Sequence, residues 1–403
     1  MKKTIFSSAD IMFPRRFDLK SWSVIACDQF TSDPGYWEEV KRIVGESPST
    51  LDFILPEAYL GTEREALINQ RIVRAMDNVR EDDFDVFRGF VYVRRTLPCG
   101  LVREGLVGML DLEEYDYSHD SESRIRATEE TVISRIPARK AIRDAAKYEL
   151  PHAMVFVPSE CDVIAAARSL SSGLCPLYDF DLMMDGGHII GYKLDGALSD
   201  HVAERICEYE NGSSGVLYAI GDGNHSLAAA KAHFECVKKE IGRESARHPS
   251  RYVLCEIVNI SDASIEFEPI YRIVKGCDPD NLISELGKIT GDKGDRRISV
   301  VTRNCSFDTC FSAPSSSLTV GSVQDFIDGY IAENPGAECD YIHGKEELLA
   351  LSSLDGSVGF VFDGVKKEDL FRHISANGPY PRKTFSMGDA RSKRYYLEMR
   401  KIV

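Results

Sequence analysis

Short apolar runs alternate along this chain with stretches in which apolar residues recur every three or four positions, and each switch of period marks an element boundary. Val216-Leu217-Tyr218-Ala219-Ile220 is one such run, bracketed by Gly215 and Gly221 and too brief for a helix, so it predicts a buried strand. Leu227, Ala230, Phe234, Val237 and Ile241 follow at helical spacing. The same reading predicts a strand over 23–26, helices over 34–44 and 64–79, and strands over 86–93 and 106–112 joined through Pro98-Cys99-Gly100. A charged helical region over 125–149, interrupted by Pro137, precedes a strand over 153–157. Apolar runs on either side of Asp185-Gly186-Gly187-His188 predict a hairpin, followed by a helix over 198–209 and a strand over 251–260. Beyond Pro279, strands over 298–302, 339–342 and 357–362 alternate with helices over 323–332, 346–351 and 368–374. The pattern is α/β, with α+β elements in the N-terminal part and a smaller C-terminal α/β unit. A boundary at Gly276-Cys277-Asp278-Pro279 divides it into 1–275 and 276–403, with Tyr271 to Val274 fitting either side.

Composition narrows the class. An apolar share of 43% and a charged share of 28% in 403 residues are those of a soluble globular protein with a sizeable core. A formal charge of −15 argues against nucleic-acid binding through an overall basic surface, while leaving room for a local basic pocket. No apolar run approaches the ~20 residues that span a bilayer. The residues after Met1 lack the apolar core of a secretion signal. The 11 cysteines are scattered, odd in number and without a C-x-x-C pair, so neither a disulfide framework nor a zinc site is expected. The expected setting is the reducing cytoplasm.

Candidate chemistry gathers first at Gly221-Asp222-Gly223-Asn224-His225-Ser226, where the predicted strand turns directly into a helix. The glycines permit a tight turn, and Asn224 or Ser226 would cap the helix. N–H groups at such a helix start favour a phosphate or carboxylate. Asp222 and His225 add titratable groups there, although a bare turn with a surface histidine would read the same way. No Walker loop occurs anywhere, and a lone G-D-G is not a dinucleotide fingerprint.

A second constellation runs from Arg124 through Arg126, Glu129, Glu130, Arg135, Arg139 and Arg143. Arginine forks suit phosphate or carboxylate, and Glu129 or Glu130 would serve as base or metal ligand; the alternative is a solvated helix laced with ion pairs to Asp144 and Glu149. Arg126 with Glu129 is the preferred pair. The third is Pro381-Arg382-Lys383-Thr384-Phe385-Ser386-Met387-Gly388, followed by Arg391, Lys393 and Arg394. It offers an oxyanion site or, equally, a basic terminal strand docked on an acidic body. Asp28, after the strand over 23–26, is a candidate general base, with Cys27 beside it either a nucleophile or simply core. The histidines are too dispersed to argue a metal site, so metal ligands remain unassigned.

Several of these stretches carry a resemblance. On Trp22 to Phe30, Ile125 to Glu129, Leu150-Pro151-His152, Gly221 to Lys231, Arg382 to Gly388 and Lys393-Arg394-Tyr395-Tyr396, nearly the whole chain is identified as a member of the bacterial and archaeal family called domain of unknown function 1015. Proteins of that family are often labelled as resembling the ParB or SpoOJ partition proteins, which implies a ParB/sulfiredoxin-like N-terminal domain. The turn itself is similar to the D-G-H-H-R turn of the ParB and sulfiredoxin superfamily, which includes a kinase acting on free serine and in which the turn binds nucleotide phosphates. Asp222, Gly223 and His225 match it, whereas Asn224 and Ser226 stand in place of the first histidine and the arginine. The missing charge would have to come from Arg126, Arg135 or Arg382.

The resemblance thus implies phosphoryl transfer or hydrolysis on a small hydroxy amino acid such as serine or phosphoserine, with Mg²⁺ and ATP or ADP. In that reading Asp28, Glu129 or Asp222 orients or deprotonates the nucleophile, and His225 donates a proton. Gly223, Asn224, Ser226, Arg126, Arg135, Arg382 and Lys383 hold phosphate. The partner is a small phosphorylated molecule, and a homodimer is compatible with it. The alternative is a non-catalytic nucleotide-binding regulatory module, as in partition-protein relatives. Redox chemistry at Cys27 in the manner of sulfiredoxin ranks last, because Asp222 to Ser226 lacks the residues of its cysteine-bearing turn.

Overall fold

The two apolar runs flanking Pro98-Cys99-Gly100 pair as a long hairpin, with Gly100 at φ +87° turning the chain. That hairpin is the middle of a large mixed sheet in a computed structural model that describes residues 4–25, 30, 34–56, 59, 62–151, 153–313, 316 and 318–403. In chain order its neighbours are β1 (Phe6–Ser7), β2 (Ala9–Pro14), β3 (Phe84–Thr96), β4 (Val102–Asp111), β5 (Tyr115–Asp116) and β6 (Ile125–Ala127). Then come β7 (Tyr148–Glu149), β8 (Met154–Val157), β9 (Tyr178–Asp181), β10 (His188–Asp195), β11 (Tyr218–Asp222) and β12 (Tyr252–Asn259). The sheet runs β5-β6-β11-β8-β12-β4-β3-β10-β9, with β1 beside β4 and β2 beside β3; β7 lies outside it. Here β6 runs parallel to β11, and β8 parallel to β12, while β8 and β11 are antiparallel.

The strands alternate faces, and both faces are covered. Phe90, Tyr92 and Leu106 face a core shared with the helices Val163–Ser171, Gly196–Gly212 and Asn224–Ile241, through Ala167, Val202, Ile206 and Phe234. Val91, Val93 and Val107 face a second core built with Trp22, Trp37, Ile72, Leu397 and Met399. Burying each such side chain contributes about 1.5–3 kcal/mol.

The chain falls into two compact units. One comprises Met1–Ile265, Phe371–Pro379 and Gly388–Val403, and the other Glu266–Leu370 with Tyr380–Met387. The second unit has its own sheet from β13 (Phe267–Lys275), β14 (Thr290–Gly291), β15 (Arg297–Val301), β16 (Ser306–Phe311), β17 (Glu338–His343), β18 (Ser357–Phe362) and β19 (Phe385–Met387). Its order is β14-β16-β15-β18-β13-β17, with β19 on β13, and Val300, Val323, Ile327 and Phe360 form its core. The strand β20 (Arg400–Lys401) returns to the first unit and pairs with β7. The architecture is mixed α/β.

Two local expectations change. The predicted helical region over 125–149 opens instead with strand β6, because Ile125 and Ala127 are buried and Arg126 between them is not, a period of two. Pro137 does not interrupt the helix Ile136–Asp144 but sits in its first turn, where its missing N–H costs nothing. Arg126 and Glu129 therefore share no helix face. Among the described residues, no helix is long and apolar enough to cross a membrane.

Candidate functional site

Strand β11 ends where the helix Asn224–Ile241 begins, with a single residue between them. Gly223 is that residue, at φ +88° and ψ +23°, the left-handed conformation that favours glycine. It is also the N-cap, and no side chain caps the helix, so neither Asn224 nor Ser226 plays the capping part expected of it. Gly221 is fixed by packing, since a Cβ there would stand 2.5 Å from the Phe156 ring. An α-helix leaves its first N–H groups without intrahelical acceptors.

The parallel register of β6 and β11 places Ala127 beside Ile220, so residues 128–129 and 221–222 leave the sheet at the same end. Thr128, fully buried, donates its hydroxyl to the Ile220 carbonyl at 2.6 Å and accepts from the Asn224 amide at 3.4 Å. Among the described residues, the buried Asn224 Oδ1 finds no hydrogen-bond partner, and neither does the Thr131 hydroxyl. His225 Nε2 accepts from the Val132 N–H at 3.2 Å, which puts the proton of the neutral ring on Nδ1. Asp222 accepts the Gly223 N–H through Oδ1 at 3.0 Å, and its Oδ2 lies 3.4 Å from the Lys393 ammonium. The Lys393 side chain is only 9% exposed.

Lys393 reaches Asp222 because the segment carrying it is held from below. Arg95 on β3 and Arg103 on β4 stand directly opposite each other, and both are buried. Arg95 donates to the carbonyls of Arg391, Lys393 and Gly186, and Arg103 to that of Ser392 at 2.8 Å. Neither guanidinium has a carboxylate at ion-pair distance among the described residues, and the Nε of each is buried and unpartnered. Burial pushes Arg95 down to about 9, helped by repulsion from Arg103; burial and then Arg394 push Arg103 down to about 10. Farther along, Arg394 pairs with buried Glu256 and with Glu398 at 2.6 Å, and Tyr178 donates to Glu398 at 2.8 Å. Lys393 thus sets a buried positive charge beside an uncapped helix N-terminus, an arrangement that suits an anion.

Residues 10–400 match a single family pattern. The chain belongs to the family described as Protein of unknown function (DUF1015). No curated protein matches this DUF1015 chain. Among solved structures, a free serine kinase variant in complex with ADP resembles it with a TM-score of 0.40 at 11% identity, over 72% of this chain and 90% of that one. A conserved hypothetical protein from Pyrococcus furiosus gives 0.38 at 11% identity, over 72% and 93%. SbnI with a C-terminal truncation, from Staphylococcus aureus, gives 0.35 at 9%, over 70% and 84%. Scores this low transfer no site residue to the DUF1015 chain.

Of the other expected site residues, Ser226 and Glu129 lie near this turn and the rest are engaged or placed elsewhere. Arg126 spends Nε on the Ser123 carbonyl at 2.9 Å and Nη1 on that of Ile374 at 3.0 Å. Glu129 is half-buried just past β6, and Arg135 is exposed in the turn Ile133–Arg135. Ser226 lies half-buried in the first helical turn. Arg382 and Lys383 belong to the second unit, where their carbonyls accept from the buried Arg272 guanidinium; Arg382 is exposed, and Lys383 has φ +56°. Asp28 and Cys27 lie outside the described residues. Sequence reasoning missed Arg95 and Arg103. The available signal was phase: Arg95 falls on the same face of its strand as Val91 and Val93, both core positions.

Proposed function

We propose that this protein is a phosphate-handling enzyme that transfers or hydrolyses a phosphoryl group on a small hydroxy amino acid such as serine or phosphoserine, with ATP or ADP as its nucleotide. The observation that carries the reading is the uncapped helix start at Asn224 with the buried Lys393 ammonium 3.4 Å from Asp222. Helix N–H groups and an ammonium in one place suit a phosphate. The substrate class rests on the resemblance of Asp222, Gly223 and His225 to the turn of a superfamily that includes a free serine kinase. Lys393 takes the neutralising part left vacant where Ser226 replaces the arginine of that turn. Arg126, Arg135, Arg382 and Lys383 remain further candidates for holding phosphate.

In a transfer step the substrate hydroxyl oxygen bonds to phosphorus as the bond to the leaving oxygen breaks, and the hydroxyl proton passes to a carboxylate. Asp28, Glu129 and Asp222 are the candidates, and His225 Nδ1 is placed to give a proton to a leaving group. A phosphate-bound Mg²⁺ needs only one or two protein carboxylates, and Asp222 and Glu129, leaving the sheet at one end, would hold it. When bound, Mg²⁺ would offset charge on the phosphate oxygens.

The test is a thermal-shift series with ATP, ADP, pyrophosphate, serine and phosphoserine, each with and without Mg²⁺. A ligand at 100 times its Kd stabilises the fold by about 2.7 kcal/mol. Asp222→Asn and Lys393→Met should each abolish the shift while keeping the ligand-free melting temperature within a few degrees. No shift with any of these compounds in the unaltered protein would sink the reading. Saturable nucleotide binding with no phosphate transferred or released would instead mark a regulatory module related to partition proteins.

A further inference from the structure

The β3–β4 hairpin has a second face. Arg95 and Arg103 point to one side, and their strand neighbours Tyr92, Arg94 and Glu104 alternate to the other. There a cleft of about 530 Å³ opens between the hairpin, Tyr192 on β10 and the end of the helix Val163–Ser171. That volume falls within the range of about 300–1,000 Å³ typical of small-molecule sites.

Its lining is built rather than incidental. The rings of Tyr92 and Tyr192 stack with centroids 6.0 Å apart at 27°. The Tyr92 hydroxyl donates to one oxygen of Glu104, and Arg168 pairs with the other. Burial, then the bond to Glu104, pushes the Tyr92 hydroxyl well above its ordinary range, so it remains a donor throughout neutral and alkaline pH. Arg94 lies opposite Glu104 across the two strands and is exposed, and its side chain makes no hydrogen bond or ion pair with any described residue. With Glu104 balanced by Arg168, the lining keeps one uncompensated positive charge, that of Arg94.

We propose that this cleft is a binding site for a small organic carboxylate with an aryl-sized apolar body, the acid group taken by Arg94 and the body by Tyr192 and Leu174, with the buried Tyr92 ring backing Tyr192. A guanidinium fork matches a carboxylate in shape, and a single negative charge matches the single charge left over. A phosphate dianion would be only half compensated there.

Isothermal titration of the full-length protein with 3-phenylpropionate tests this, with 3-phenylpropanol and inorganic phosphate as controls. The acid should bind saturably, and at least tenfold more weakly to Arg94→Gln, whose melting temperature should match that of the unaltered protein. Tyr192→Ala should weaken binding by a similar factor. Asp222→Asn should bind the acid unchanged, which separates this cleft from the proposed phosphate site. Equal affinity for the alcohol, undiminished affinity in Arg94→Gln, or no saturation with the acid would each overturn the proposal.

Discussion

Buried charge in this protein is arranged to hold backbone as well as other charge. Two arginines directly opposite on adjacent strands repel each other, and their placement becomes understandable only through the carbonyls of residues 391–393 that they grip. Glu149 does the corresponding work on the far side of the same segment. It accepts from Arg400 Nε at 2.8 Å and from the Leu254 N–H at 2.8 Å, and Arg143 lies 2.7 Å away. Burial alone would raise its carboxyl, but Arg400 and then Arg143 outweigh that and hold it below the ordinary 4.5. A carboxylate whose folded pKa is depressed contributes stability that is present above its unfolded value and lost as pH falls through the folded one. Glu149→Gln should therefore cost about 3–5 kcal/mol at pH 7, by leaving Arg400 and Arg143 unpaired. It should also flatten the loss of stability below pH 4.5. Urea unfolding at pH 7 and at pH 4 measures both; a variant as acid-sensitive as the unaltered protein would contradict the assignment.

At the scale of elements, the strand–turn–helix at 218–241 rests on one backbone conformation. Gly223→Ala forces a side chain into φ +88°, at a cost of about 1–2 kcal/mol, and re-aims the first-turn N–H groups. Urea unfolding should show that loss, together with a weaker nucleotide-induced shift. This element was legible because its period changes from a short apolar run to helical spacing within a few residues, with glycines at the junction. The hairpin around Asp185-Gly186-Gly187-His188 was legible for the same reason, and it closes with Met184, Asp185 and Gly187 all at positive φ. Strand β6 was not, since three residues followed by charges carry too little pattern to outweigh a helical stretch beyond them. Arg95 and Arg103 were hidden by their type, because a buried arginine is rare enough that charge in a strand reads as an exposed face. The basic stretch ending in Lys393 and Arg394 stood out in the sequence, but which of its residues meets Asp222 depends on a pairing across most of the chain.

At the scale of the whole molecule, the first unit is closed by residues 388–403. The Trp22 indole donates to the Leu397 carbonyl at 2.8 Å, the Tyr396 N–H to the Val24 carbonyl at 2.9 Å, and Met399 and Met12 exchange backbone bonds. Tyr395, Leu397 and Met399 are core residues of this unit. Deleting 388–403 should abolish its cooperative thermal transition, as followed by circular dichroism; an unchanged melt would show the segment to be dispensable to the fold. The contacts of this segment also have a kinetic meaning. The Trp22–Leu397 bond joins residues 375 apart in the chain, and pairings that distant are slow to form because loop closure precedes their reward. The sheet and the core on its helix-covered face can assemble first from nearer neighbours, whereas the core holding Leu397 and Met399 is complete only once this segment docks. Lys393 would then meet Asp222 only as this segment docks, which would make the proposed binding site a late product of folding, and a chain caught partway would have the turn without the ammonium beside it.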